Sequence, residues 1–165
     1  MTPAGSTQLP PNQYFIVRQP AGAADTQLLV TGSVQFASAR LPLATLAANK
    51  SQDNLVALPI PLPVTLGTSL LTDSGAFTPT TNQFLVKDEL LLFDNTQIGY
   101  NKSASAVYFY FAGNGSYTAG WYLFGNMTQS ASSVLLNPGQ GYIIRKAATA
   151  APEIFPWVLL PGYLQ

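Results

Sequence analysis

Apolar and polar positions alternate with a period of two over residues 106–112 (AVYFYFA), so Val107, Phe109 and Phe111 share one face and Tyr108 and Tyr110 the other. β-branched and aromatic side chains dominate this run, which favours a strand. The turn cluster Gly113, Asn114, Gly115 and Ser116 follows, and Asn-Gly is the preferred centre of a type I′ hairpin because both central residues need positive φ. The pattern therefore predicts a hairpin with Asn114 and Gly115 at its tip, Tyr108 opposite Trp121 and Val107 opposite Tyr122. Its Val/Phe face suits a core. The other face carries Tyr108, Tyr110, Tyr117 and Trp121, which combine an apolar body with a polar tip. Two settings stay open for it: beneath another layer of the same domain, or an inter-subunit or ligand surface.

Elsewhere the pattern predicts strands over residues 14–18, 26–36 with a break near Gly32, 53–58, 84–93 and 142–146. Residues 41–48 fit a helical turn or an irregular edge, and residues 64–71 fit a strand or a short helix. The prolines of residues 59–63 (PIPLP) remove ladder donors and must leave the sheet interior. Residues 73–82 read as a loop, and Asn137, Pro138, Gly139, Gln140 and Gly141 as a tight turn. The fold class is all-β: an antiparallel β-sandwich or partly open barrel with long Pro/Gly-rich loops. The organisation that follows is a Pro/Thr/Ser/Gly-rich N-terminal arm over 1–12, a β domain over 13–147, and a linker and tail over 148–165 that pack on the domain or on a neighbour.

Residues 9–18 (LPPNQYFIVR) and 136–145 (LNPGQGYIIR) match at a constant offset in Leu, Pro, Gln and Arg, with Phe15–Val17 aligned on Tyr142–Ile144, each a turn followed by a strand ending in Arg. Shared turn-strand chemistry explains such an echo, and so does a structural repeat. Under the second reading the strand of Tyr14, Phe15, Ile16, Val17 and Arg18 belongs by pattern to a preceding unit. It is then expected to add to the sheet of a neighbouring copy; otherwise it folds back on its own domain.

Composition narrows the function. Of 165 residues 47% are hydrophobic and only 8% charged, where about 25% charged is ordinary. Seven basic and seven acidic residues cancel, so no net repulsion keeps copies apart. A neutral chain of this kind is not expected to bind nucleic acid. Cysteine and histidine are absent, which removes thiol nucleophiles, Ser-His-Asp triads, Cys/His zinc sites and pH switches near neutrality. No run approaches the length of a membrane helix, and the alternating aromatic strands are too irregular, with PIPLP among them, for an outer-membrane barrel. No membrane insertion is expected. Residues 1–13 have neither the basic nor the apolar region of a signal peptide, so a leader, if the protein is secreted, lies outside this numbering.

Catalysis is not expected. Asp88 and Asp94, on one face of a regular strand, would stand about 20 Å apart, too far for a glycosidase pair. Asp88, Glu89, Asp94 and Asn95 offer oxygen ligands for Ca²⁺ at a strand end but lack the dense spacing of a calcium loop, so solvated strand-end residues are the expectation and no cofactor is assigned. Asn-x-Ser/Thr triplets at Asn49, Asn101, Asn114 and Asn126 are common in Ser/Thr-rich chains. Tyr108, Tyr110, Trp121 and Tyr122 are candidates to stack on sugar rings, which makes polysaccharide the alternative partner to a second copy of the chain.

The run QDNLVALPIPLPVTL, then SGAF, DELLLFDN, NKSASAVYFYF and NPGQGYIIRKA, closing on a Trp and PGY, resembles the C-terminal half of a family of uncharacterised secreted β-rich proteins of Verrucomicrobia and related bacteria. The likeness spans residues 12–163. It implies an extracellular or cell-surface location and no activity. The expectation is a non-catalytic structural subunit of an extracellular filament or surface assembly, self-associating through neutral aromatic surfaces and a donated N-terminal strand, with a carbohydrate-binding or adhesive module as the alternative.

Overall fold

The computed structural model describes residues 19–24, 37–96, 99 and 102–160. The expected strands at 14–18 and 26–36 lie outside the described residues. Along the described chain the strands are β1 (Ala39–Ala44), β2 (Gln52–Ala57), β3 (Val64–Thr65), β4 (Glu89–Leu92), β5 (Ala106–Phe111), β6 (Gly120–Leu123), β7 (Leu135–Leu136), β8 (Gly141–Lys146) and β9 (Ile154–Leu159). Residues 64–71 resolve their ambiguity both ways: β3 runs directly into a 3-10 turn, Leu66–Thr68, closed by a capping box between Thr65 and Thr68.

The fold is all-β. Five strands form one antiparallel sheet in the order β2-β8-β4-β5-β6, while β1 pairs with β9 and β3 with β7 as two-stranded ribbons. Among the described residues the large sheet is open, with β2 and β6 at its edges. Its register places Asn54 and Val56, Tyr142, Ile144 and Lys146, Leu90, Tyr108 and Tyr110, and Trp121 on one face. Across that face lies the β1-β9 ribbon, whose alternation turns Ala39, Leu41, Leu43, Trp157 and Leu159 inward, and Phe77, Leu71, Leu66 and Ile60 complete the main core. The result is sandwich-like, two layers burying one apolar interior. The Asn54 amide ties the layers together: its Oδ1 accepts from Ala44 N at 2.8 Å and its Nδ2 donates to Ala44 O at 3.0 Å.

Within the C-terminal segment, residues 154–159 pack on the domain, one of the two placements expected of it. Residues 154–159, read as part of a tail, form β9, and Trp157 is buried with its indole Nε1 donating to Ser69 O at 2.6 Å. Pro156 obscured this strand and Pro42 obscured β1. The two prolines face each other in the ladder, a rung where neither missing N–H is needed.

The turn before β8 is as the sequence indicates. Gly139 takes positive φ (75°), which a type II turn after Pro138 requires. The Tyr142 hydroxyl, buried beneath this turn, donates to Asn137 O at 3.0 Å. Burial pushes the Tyr142 phenol pKa up, against the opposing effect of its hydrogen bond with the Asn137 backbone. The native state therefore keeps its proton where the unfolded chain has lost it, so this group contributes stability below the unfolded phenol pKa and loses it as pH rises from there towards the folded value. Urea midpoints measured near pH 8 and near pH 11 should fall with pH in the native sequence. They should fall less in Tyr142→Phe, which gives up about 1 kcal/mol of hydrogen bonding at both.

Candidate functional site

The hairpin forms, but two residues out of the predicted register. Tyr110, not Tyr108, lies opposite Trp121, and Phe109, not Val107, lies opposite Tyr122. The cause is the turn. Asn114 Oδ1 accepts from Ser116 N and Tyr117 N, each at 3.1 Å, and Asn114 N donates to Tyr117 O at 3.0 Å, while positive φ falls on Gly113 rather than on Asn114 and Gly115. An Asx-type turn thus replaces the two-residue I′ turn and lengthens the loop to residues 112–119.

The expected assembly face lies in the interior: a slip of two residues leaves each side chain on its own face, and the second layer covers this one. Trp121 is 2% exposed, packed against the Phe77 ring at 4.8 Å and edge-on to Tyr110 at 5.5 Å, and Tyr108 and Tyr110 lie half-buried against the same core. Tyr108, Tyr110 and Trp121 are thereby placed beneath the second layer of the same domain, the structural one of the two settings left open. Tyr117 parts from them into the loop, edge-on to Phe111 at 6.3 Å. The proposed sugar-stacking set fails for the same reason, because Trp121 and Tyr122 are buried and point to opposite faces of the sheet. Phe109 and Phe111 are buried as expected, in a smaller cluster on the outer face with Tyr122, Val86 and Met127.

An apolar surface does emerge beside that smaller cluster. Phe84 (80% exposed), Phe124 (52%) and Tyr117 (41%) line a groove of about 420 Å³, with Phe109 and Met127 in its wall and Gln83, Asn126 and Thr128 as its polar members. None of the described residues in the lining is acidic or basic. Phe84 is displayed by a loop the alternation missed: residues 84–88 were expected to be strand, but β4 begins at Glu89. Thr80 Oγ1 donates to Leu85 O and Asn82 Oδ1 accepts from Phe84 N, both at 2.9 Å, folding residues 80–85 on themselves. The Thr80-Thr81-Asn82 run was the available signal, since these side chains compete with strand ladders by bonding the local backbone. Phe124 is set by the tight turn at Gly125 (φ 81°) and is edge-on to Phe109 at 6.5 Å.

Asp88 is not the solvated strand-end residue the sequence suggested. It lies one rung beyond the Glu89–Arg145 pair, ion-paired with Lys146, and the two side chains are 0% and 1% exposed. Asp88 Oδ1 accepts from Ala147 N at 2.8 Å and Oδ2 from Thr78 N at 2.7 Å, and Lys146 Nζ donates to Ala76 O at 2.7 Å with the Phe155 ring 5.0 Å away. Asp94 instead takes its own Thr96 backbone and hydroxyl as donors. Among the described residues no three carboxylates gather as a metal cluster, and Asp88 is committed to Lys146. On the outer face Arg145 bridges Asp53 at 2.7 Å and Glu89 at 3.3 Å across three strands. The Asp53 hydrogen bond is the main cause of an Arg145 pKa above its ordinary value. Asn114 and Asn126 spend their side-chain oxygens on Asx turns, Asn49 sits at positive φ (61°), and Asn101 lies outside the described residues.

No protein-family model, curated protein or solved structure matches this chain.

Proposed function

We propose that this chain is a non-catalytic structural module that associates with copies of itself, as a subunit of an extracellular or cell-surface assembly. The observation that carries this reading is the uncharged groove ringed by Phe84, Tyr117 and Phe124. Large aromatics left this open are unusual on a monomer and are the side chains that dominate association energy when covered. A second copy is the occupant that best suits the surface: equal numbers of basic and acidic residues in a sparsely charged chain leave neither repulsion to overcome nor a charge pattern that would select an oppositely charged partner. The extracellular placement rests on the resemblance to secreted proteins. Self-association through Tyr108, Tyr110 and Trp121 gives way to this neighbouring surface, and Tyr14–Arg18 donation is not required by it.

The polar rim of Gln83, Asn126 and Thr128 beside aromatic walls favours polysaccharide as the second reading. One pair of substitutions separates the two. Phe84→Ser with Phe124→Ser should weaken self-association by at least about 30-fold, the size of one hot-spot residue, with little change in melting temperature because both rings are more than half exposed. Native association with lost retention on insoluble polysaccharide would instead support the sugar reading.

A further inference from the structure

Lys146 ends β8 on the inner face of the sheet, and Asp88 faces it from the residue before β4, so the pair spans two neighbouring strands far apart in sequence. Amine and carboxyl touch in a space closed to water, with side chains 1% and 0% exposed. Each carboxyl oxygen already has a backbone donor, Ala147 N–H on Oδ1 and Thr78 N–H on Oδ2. A buried ion pair needs good geometry and full hydrogen bonding to offset desolvation. The same geometry also meets the requirements of acyl transfer: a nucleophile in contact with its electrophile, donors fixed where charge will develop, and no competing water.

We propose that Asp88 and Lys146 condense into an amide crosslink between the two strands. One proton passes from Nζ to Oδ2 across their contact, giving the neutral amine that attacks and the neutral acid that is attacked. Nζ then bonds to Cγ, and negative charge develops on Oδ1, where the Ala147 N–H stands at 2.8 Å. The Cγ–Oδ2 bond breaks and Oδ2 leaves as water, taking the proton it holds and a second from Nζ. The Thr78 hydroxyl, 3.5 Å from Nζ, is placed to relay that second proton. Of the three ammonium protons two depart in the water and one stays on the amide nitrogen, so the step needs no oxidant or further reactant. The product keeps Ala147 N–H on its carbonyl and Ala76 O as acceptor for its N–H; only the Thr78 N–H loses its partner. In water hydrolysis opposes such a bond, but effective molarities of about 10⁵ to 10⁸ M for held groups favour closure.

The test is the intact mass of the folded native chain, measured after denaturation, followed by peptide mapping. The proposal expects a mass lower than that of the sequence by one water, a branched peptide joining the Asp88 and Lys146 segments, and full mass for Lys146→Arg. Full sequence mass in the native protein after prolonged storage would overturn it, and so would a water loss that maps to any other pair of residues.

Discussion

Relative to the chain with this pair uncondensed, Lys146→Met should lower stability by about 3 to 5 kcal/mol, because it leaves the Asp88 carboxylate buried with no cation. Against a total of about 5 to 15 kcal/mol for an ordinary domain, that loss brings the chain close to unfolding at room temperature. The burial of both partners makes the effect large; the exposed Arg145–Asp53 pair, with side chains 39% and 43% exposed, contributes at most about 1 kcal/mol. Adding Asp88→Asn to Lys146→Met should restore part of the loss. A neutral amide leaves no buried charge, its oxygen still accepts one backbone N–H, and its NH₂ can donate towards Ala76 O. Denaturant midpoints decide the matter: a double variant no more stable than the single one would mean that an unpaired charge is not what Lys146→Met exposes.

Trp121→Ala is the second large effect, about 3 to 5 kcal/mol from the cavity left by a buried tryptophan. The ring contacts with Phe77 and Tyr110 disappear with it, each aromatic pair adding about 0.5 to 1.5 kcal/mol. The inter-subunit setting, one of the two that the sequence leaves open, has the opposite consequence, a folded domain that has lost its assembly contact. Thermal unfolding distinguishes the two. A Trp121→Ala protein that melts with the native one would place the indole outside the core.

What was legible in the sequence was whatever local pattern determines. Strands β2, β5 and β8 follow from alternation, and the turn before β8 from Asn-Pro-Gly-Gln-Gly, because strand period and turn chemistry are set within a few residues. Long-range choices were not legible. Both faces of β5 carry aromatics, so period two could not say which face is covered; the Phe77 ring that covers Trp121 comes from a segment that reads as a loop, and β1 and β9, which lie across β2 and β8, were disguised as non-strand by their prolines. The Asp88 partner lies beyond any local window, which made a buried carboxylate look like a solvated one. The hairpin register failed at a single residue: Asn114 can serve a type I′ centre or an Asx turn, and the second won. The groove was missed because Phe84 continues the apolar run towards β4, and that pattern outweighed the Thr80-Thr81-Asn82 signal that the run is turned outward.

Self-association is the central claim, and light scattering of the purified native chain over a range of concentrations tests it most directly. The account predicts a weight-average mass that rises with concentration above the 17.6 kDa of one chain, while the Phe84→Ser, Phe124→Ser protein stays near that value at the same concentrations. A native chain that holds 17.6 kDa throughout, up to about the millimolar range where even weak association of about 4 kcal/mol shows, would contradict it.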